Sequence, residues 1–151
     1  MFILSHAVEI NPPGASIALT VGQVWAGLVL KAEDALPFVP AMRRCDLLER
    51  GAGCLRRAIS FGDQDFEEQV TFYAPRLVRF DRVGSDDFIL NIISDSAVGL
   101  LLSFTFAISF PGVADGSEEE HARGEAMREA YVGAVAATLA KVRELASHGE
   151  I

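Results

Sequence analysis

From Cys54 to Phe110, large apolar side chains recur at every second position, and clusters of turn-forming residues interrupt the alternation four times. A period of two belongs to a β-strand with one buried face, so the segment predicts five consecutive antiparallel strands. The turns fall at Gly62-Asp63-Gln64-Asp65, Ala74-Pro75-Arg76, Gly84-Ser85-Asp86-Asp87 and Asp95 through Gly99, and Gly51-Ala52-Gly53 joins a further strand in front. Folding about these points sets Leu47 opposite Arg57, Ile59 opposite Glu68, Val70 opposite Phe80, Leu90 opposite Phe104 and Phe88 opposite Phe106. One face then collects Leu55, Ile59, Phe61, Val70, Phe72, Val78, Phe80, Phe88, Leu90, Ile92, Leu102, Phe104, Phe106, Ile108 and Phe110. The other holds Arg56, Ser60, Glu67, Gln69, Thr71, Arg79, Asp81, Asn91, Ser103, Thr105 and Ser109, the in-and-out alternation of a sheet with one wet side.

Phe2, Leu4, His6, Val8 and Ile10 alternate in the same way and form a first strand, stopped by Asn11, Pro12, Pro13 and Gly14. Thr20 and Gln23 make a capping box in front of Val21, Val24, Trp25, Leu28 and Ala32 at helical spacing, which predicts a short amphipathic helix despite Gly22 and Gly27. Pro37 and Pro40 bracket a second short helix or tight loop before Met42. After the sheet, Pro111 through Gly116 break the pattern, and Ser117 with Glu120 makes a second capping box. The apolar stripe Met127, Tyr131, Ala134, Val135, Thr138, Leu139, Val142 and Leu145 then predicts one helix to about Ser147, roughly 45 Å long at 1.5 Å per residue. Gly133, Ala134, Ala136 and Ala137 near its middle leave room where a tightly packed helix would carry leucines. Small residues facing phenylalanines suggest a cavity between sheet and helix, although close packing of the two would use the same residues.

At 151 residues the chain suits a single domain spanning positions 1–151. A hydrophobic share of 50% with ten phenylalanines provides for interior walls as well as a core, and a net charge of -8 disfavours nucleic acid and anionic lipid as partners. The opening MFILSHAVEI lacks the basic region of a signal peptide, and Ser103, Thr105 and Ser109 break the most apolar run, so a cytoplasmic protein with no membrane insertion is expected. Cys45 and Cys54 fall on opposite faces of one hairpin and are expected to be free thiols.

The order strand, two short helices, six-strand meander and long C-terminal helix resembles the helix-grip fold of the START and Bet v 1-like superfamily, also called SRPBCC. Within it, INPPGASIALTVGQVWAGLVLKAEDALPFVPAM, RRAISFGD, EEQVTFYAPRLVRFDR, FPGVADGSEEE and YVGAVAATLAKVREL are similar to the AtaL-like family over essentially the whole chain. The resemblance implies an α+β fold in which a curved seven-stranded antiparallel sheet wraps around the C-terminal helix, with two short helices between strands one and two. It also implies a hydrophobic cavity, used across the superfamily for lipid or sterol transport, hormone binding, polyketide cyclisation or dehydration, and chaperone assistance. The fungal member that gives the family its name is encoded in a secondary-metabolite pathway, which favours a small-molecule ligand. Fold alone does not choose among these uses.

Three ionisable side chains fall on the inward face: Arg57, Glu68 and Arg82. The registers place Arg82 opposite Glu68 and Arg57 diagonal to it, within reach of long side chains. Charges facing a core must be paired or solvated, so a structural ion cluster accounts for them. Two arginines and one carboxylate would equally leave a net positive spot suited to a ligand carboxylate, phenolate or carbonyl oxygen. Phe72, Phe80, Leu90, Phe104, Phe106, Tyr131, Ala134 and Val135 are the candidate apolar walls. His6 on the first strand is a weak candidate for general base, since a hydrogen-bonded core histidine would look the same. His121 with Glu125 and the run Asp63, Asp65, Glu67 lack the further ligands of a metal site. There is no phosphate loop, nucleophile elbow or Cys/His dyad.

These observations point to binding of a small hydrophobic or aromatic molecule, polyketide- or lipid-like, without metal or organic cofactor. An enzyme of the cyclase or dehydratase kind using His6, Arg57 and Glu68 is the alternative. An interaction module with a filled interior is the second alternative. Folds of this kind also form homodimers, but no residue here argues for one.

Overall fold

The computed structural model describes all 151 residues. The elements run β1 (Phe2–Glu9), α1 (Val21–Glu33), β2 (Arg44–Gly51), β3 (Cys54–Phe61), β4 (Gln64–Tyr73), β5 (Leu77–Arg82), β6 (Phe88–Ser94), β7 (Leu101–Ile108), α2 (Glu118–Ala126) and α3 (Arg128–Ser147). All seven strands join one antiparallel sheet in the order β1-β7-β6-β5-β4-β3-β2, a meander closed at one edge by the first strand. This is the helix-grip arrangement, with α1 and α3 packed against each other on the apolar face of the sheet.

Local chemistry explains where the helices start. Thr20 closes the capping box with Gln23 in both directions, at 3.1 and 3.0 Å. The second helical segment shrinks to a single turn, in which the Phe38 and Val39 amides both donate to the Ala35 carbonyl. At Ser117 only half of the box forms: its hydroxyl accepts from the Glu120 amide, while the Glu120 carboxylate accepts from the Gly116 amide.

The C-terminal helix is broken rather than continuous, at Met127 (φ −90, ψ −9). Gly124 lies against the Phe2 ring with no space for a side chain, so α2 is seated on β1, whereas α3 packs against α1, β1 and β7. The two segments thus share β1, and α3 alone also rests on α1 and β7. Val135, Thr138, Leu139 and Val142 are its buried face.

Three expected registers need correction. Glu68 pairs with Arg57 and Ile59 with Phe66, a shift of two residues that leaves the faces unchanged. In β6 the shift is one residue, so the faces exchange: Asn91 pairs with Phe104 and Ile89 with Phe106. Phe88, Leu90 and Ile92 therefore lie on the outer face, and Ile89, Asn91 and Ile93 point inward. Leu47 opposite Arg57 and Val70 opposite Phe80 are as expected. Cys45 and Cys54 are both free thiols.

Candidate functional site

A hollow of about 610 Å³ lies between the inward face of the sheet and α3. Phe80 of β5 and Phe104, Phe106 and Ile108 of β7 form its floor, and Ala130, Tyr131 and Ala134 of α3 its roof. The alternation that gives these strands a buried face also delivers the rings into one space. Tyr131 stacks on Phe106 with ring centres 4.1 Å apart and planes 9° apart, which fixes the ring at the roof. Burial pushes its phenol above the ordinary tyrosine range, so the hydroxyl stays a neutral donor and acceptor. Solvent-exposed lining residues, Ala41, Gln64, Ser85, Pro111 and Met127, mark the rim.

Two ion pairs sit in the wall, one buried and one with its arginine partly exposed. Arg57 donates from Nε at 2.9 Å and from Nη2 at 2.8 Å to the same oxygen of Glu68, and both side chains are almost wholly buried. Its Nη1 donates to the Lys31 and Ala32 carbonyls at 2.9 and 3.0 Å, satisfying backbone acceptors that the end of α1 leaves open. Arg57 is therefore a structural clamp between helix and sheet. Arg82 faces Glu68 across the β4–β5 pair but takes Asp87 as its carboxylate, at 3.8 Å. Asp87 in turn accepts from the Ser109 amide and hydroxyl at 2.9 and 2.5 Å, pinning the end of β7 to the turn before β6. The guanidinium of Arg82 covers the Phe66 ring at 3.8 Å, and its buried Nε has no hydrogen-bond partner. That nitrogen is a donor sealed behind the wall, out of reach of the open hollow. The two arginines by themselves leave no excess positive charge, because Asp87 balances Arg82 as Glu68 balances Arg57.

The cation left over is Lys31, which no sequence argument singled out. It is the buried end of α1, donates from Nζ to Asn91 Oδ1 at 2.9 Å, and lies 4.9 Å from the Phe80 centroid and 4.8 Å from that of Phe104. Burial, with the Arg57 guanidinium close by, pushes its ammonium down to about 7 against the opposing pull of Glu68. Val24, Leu28 and Lys31 lie on one helical stripe, at i, i+4 and i+7, which was the readable signal.

Of the expected site residues, Arg57, Glu68, Arg82, Phe80, Phe104, Phe106, Tyr131 and Ala134 line the hollow, and His6, Phe72, Leu90 and Val135 do not. His6 is opposite Phe104 in the edge strand β1, outside the cavity wall. Phe72, half-buried, packs edge-on against Trp25 at 6.2 Å beside the core, and Val135 is fully buried within it. Leu90 sits on the outer face between Arg79 and Thr105, because of the β6 register. Gly133 and Ala136 face solvent, so only part of the small-residue stretch makes space in the hollow.

A family model, AtaL (acetylaranotin biosynthesis cluster protein L), matches residues 4–149. The chain belongs to the AtaL family. No curated protein sequence matches it. Among solved structures, this AtaL-family chain superposes on the di-domain ARO/CYC StfQ from the steffimycin biosynthetic pathway with a TM-score of 0.70 at 10% identity, covering 98% of this chain and 51% of that one. It thus spans about half the length of that two-domain protein. The Zhui aromatase/cyclase from Streptomyces sp. R1128 gives a TM-score of 0.65 at 15% identity, covering 96% of this chain and 95% of that one. Ara h 8.0201 gives 0.59 at 12% identity, with 93% and 97% covered. At such identities the likeness is one of fold.

Proposed function

We propose that this AtaL-family protein binds a small hydrophobic or aromatic molecule in the hollow between the sheet and α3. The observation that carries this reading is the hollow itself, whose 25 lining residues include 16 hydrophobic ones around a few convergent polar groups. Its volume of about 610 Å³ falls in the range of small-molecule sites. The rings of Phe80 and Phe104 suit a planar or polyketide-like body, and the Arg82 guanidinium and the Tyr131 hydroxyl in the lining suit its oxygens. An interaction module would use its interior for packing, so the open volume argues for a ligand.

A cyclase- or dehydratase-type reaction in the same cavity is the second reading. It is favoured by the polar groups that border the apolar space, Lys31, Arg82 and Tyr131, and by the aromatase/cyclase names of two proteins that share the fold. His6 has no part in it, lying outside the wall.

The test is to fill the space. Ala134→Phe puts a ring into the roof, and displacement of 1-anilinonaphthalene-8-sulfonate or native mass spectrometry reports occupancy. The wild type is expected to bind the dye and the variant to lose at least tenfold in affinity at an unchanged unfolding temperature. Equal binding by both places the ligand elsewhere and overturns the proposal.

A further inference from the structure

The polar groups of the cavity differ in one chemical respect. Arginine stays protonated and makes a poor nucleophile, whereas a desolvated lysine beside another cation can expose its lone pair. The chain carries only two lysines against eleven arginines, and one of the two is at the centre of the cavity wall. Every element around Lys31 Nζ restrains it: Asn91 of β6 accepts its hydrogen bond, and Phe80 of β5 and Phe104 of β7 lie beneath it. Arg57 of β3, Glu68 of β4 and Cys45 of β2 are the charged and titratable groups that act on it. Arg57 and Glu68 already neutralise each other through two hydrogen bonds, so no carboxylate is left to form an ion pair with the amine.

We infer that Lys31 captures a carbonyl-bearing ligand as a Schiff base. This rests on the reading of the hollow as a ligand site and narrows its ligand to an aromatic or apolar ketone or aldehyde. Deprotonated Nζ adds to the carbonyl carbon, a C–N bond forms, and the oxygen leaves as water. In sum, one ammonium and one carbonyl give one iminium and one water, with no oxidant or reductant required. The iminium keeps one N–H, which continues to donate to Asn91 Oδ1, and its positive charge rests over the two phenylalanine rings. An iminium is also an electron sink, so an adjacent carbon acid becomes easier to deprotonate, as ring closure of a polyketone requires.

The full chain, incubated with 4-phenylbutan-2-one and sodium cyanoborohydride, which reduces the iminium to an amine, tests this by intact mass and peptide mapping. The expected product is one adduct per chain, heavier by the probe less one oxygen atom. It should map to Lys31 at least tenfold over Lys141, which pairs with Glu144 on the helix surface at 3.0 Å and is the internal control. Trapping should accelerate as pH rises through 7, and both Lys31→Met and Lys31→Arg should abolish it. Should either variant fail to fold, the peptide map of the unsubstituted protein decides alone. Displacement of 1-anilinonaphthalene-8-sulfonate by the ketone without an adduct on Lys31 overturns the role of the amine and leaves the cavity standing. Neither displacement nor adduct overturns both.

Discussion

Lys31 and Asn91, sixty residues apart in sequence, meet through a buried hydrogen bond of 2.9 Å that ties α1 to the middle of β6. The bond turns a polar residue of a central strand inward and holds the amine at the cavity. Asn91 Nδ2 has no partner, so the amide is retained for its oxygen. Asn91→Leu removes the acceptor of a buried donor and should cost about 1–3 kcal/mol in urea-unfolding free energy. Asn91→Asp has nearly the same shape but puts a carboxylate beside the ammonium. It should hold Lys31 protonated to higher pH, shifting the reductive-trapping profile upward, and an unmoved profile would show that Asn91 does not set the state of the amine.

Arg57 and Glu68 are expected to behave as structure rather than as ligand groups. Glu68→Leu strands a buried guanidinium and should cost about 3–5 kcal/mol, whereas Arg57→Met with Glu68→Leu removes both charges and should recover most of that loss. The recovery will be incomplete, because the Lys31 and Ala32 carbonyls lose the Arg57 donor in the double variant. Denaturant midpoints of the two single variants and the double variant measure the coupling. Additive losses would mean that the pair is not a unit.

The burial of Lys31 has a signed consequence for stability. Its folded-state value of about 7 lies below the ordinary 10.5, so between the two the unfolded chain holds a proton that the folded protein lacks. Stability from this group therefore rises with pH across that window, by at most about 1.4 kcal/mol per unit. Below 7 both states are protonated and the contribution is constant. Unfolding free energies of the wild type and Lys31→Met at pH 7, 8 and 9 isolate it, since the remaining groups are common to both. The wild type should gain on the variant with each step, and parallel curves would count against a buried, titrating lysine.

The in-and-out pattern carried most of this architecture, and it failed where it ceased to alternate. The stretch Phe88-Ile89-Leu90-Asn91-Ile92-Ile93 is apolar on both faces, so hydrophobicity gave β6 no register, and its one polar residue turned inward to meet a lysine far away in the chain. The break at Met127 follows Gly124 by three residues, and why a glycine stands there shows only in three dimensions, where the Phe2 ring leaves no space for a side chain. Arg57, Glu68 and Arg82 were legible as inward charges. Asp87, which neutralises Arg82, was hidden in what reads as an ordinary turn. Lys31 was hidden by its flanks, since charge on an amphipathic helix is normally assigned to the wet side.

Gly27, an unfavourable residue in the middle of α1, makes sense only in three dimensions. A Cβ built there would lie 2.5 Å from Cγ2 of Val142, so the glycine lets the Val142 side chain of α3 seat directly against the backbone of α1. Gly27→Ala gains up to about 1 kcal/mol in helix propensity. Overpacking opposes it with about 1–3 kcal/mol. Because the obstructing atoms belong to a fully buried β-branched side chain with no room to turn, the clash should win and the variant should be less stable. In a Val142→Ala background both Cγ atoms are gone and only the Cβ of residue 142 remains, at 3.3 Å, so the same substitution should be neutral or stabilising relative to that background. Thermal unfolding of the four proteins completes the cycle, and a loss that persists without Val142 would mean that the two helices are not held apart at this contact.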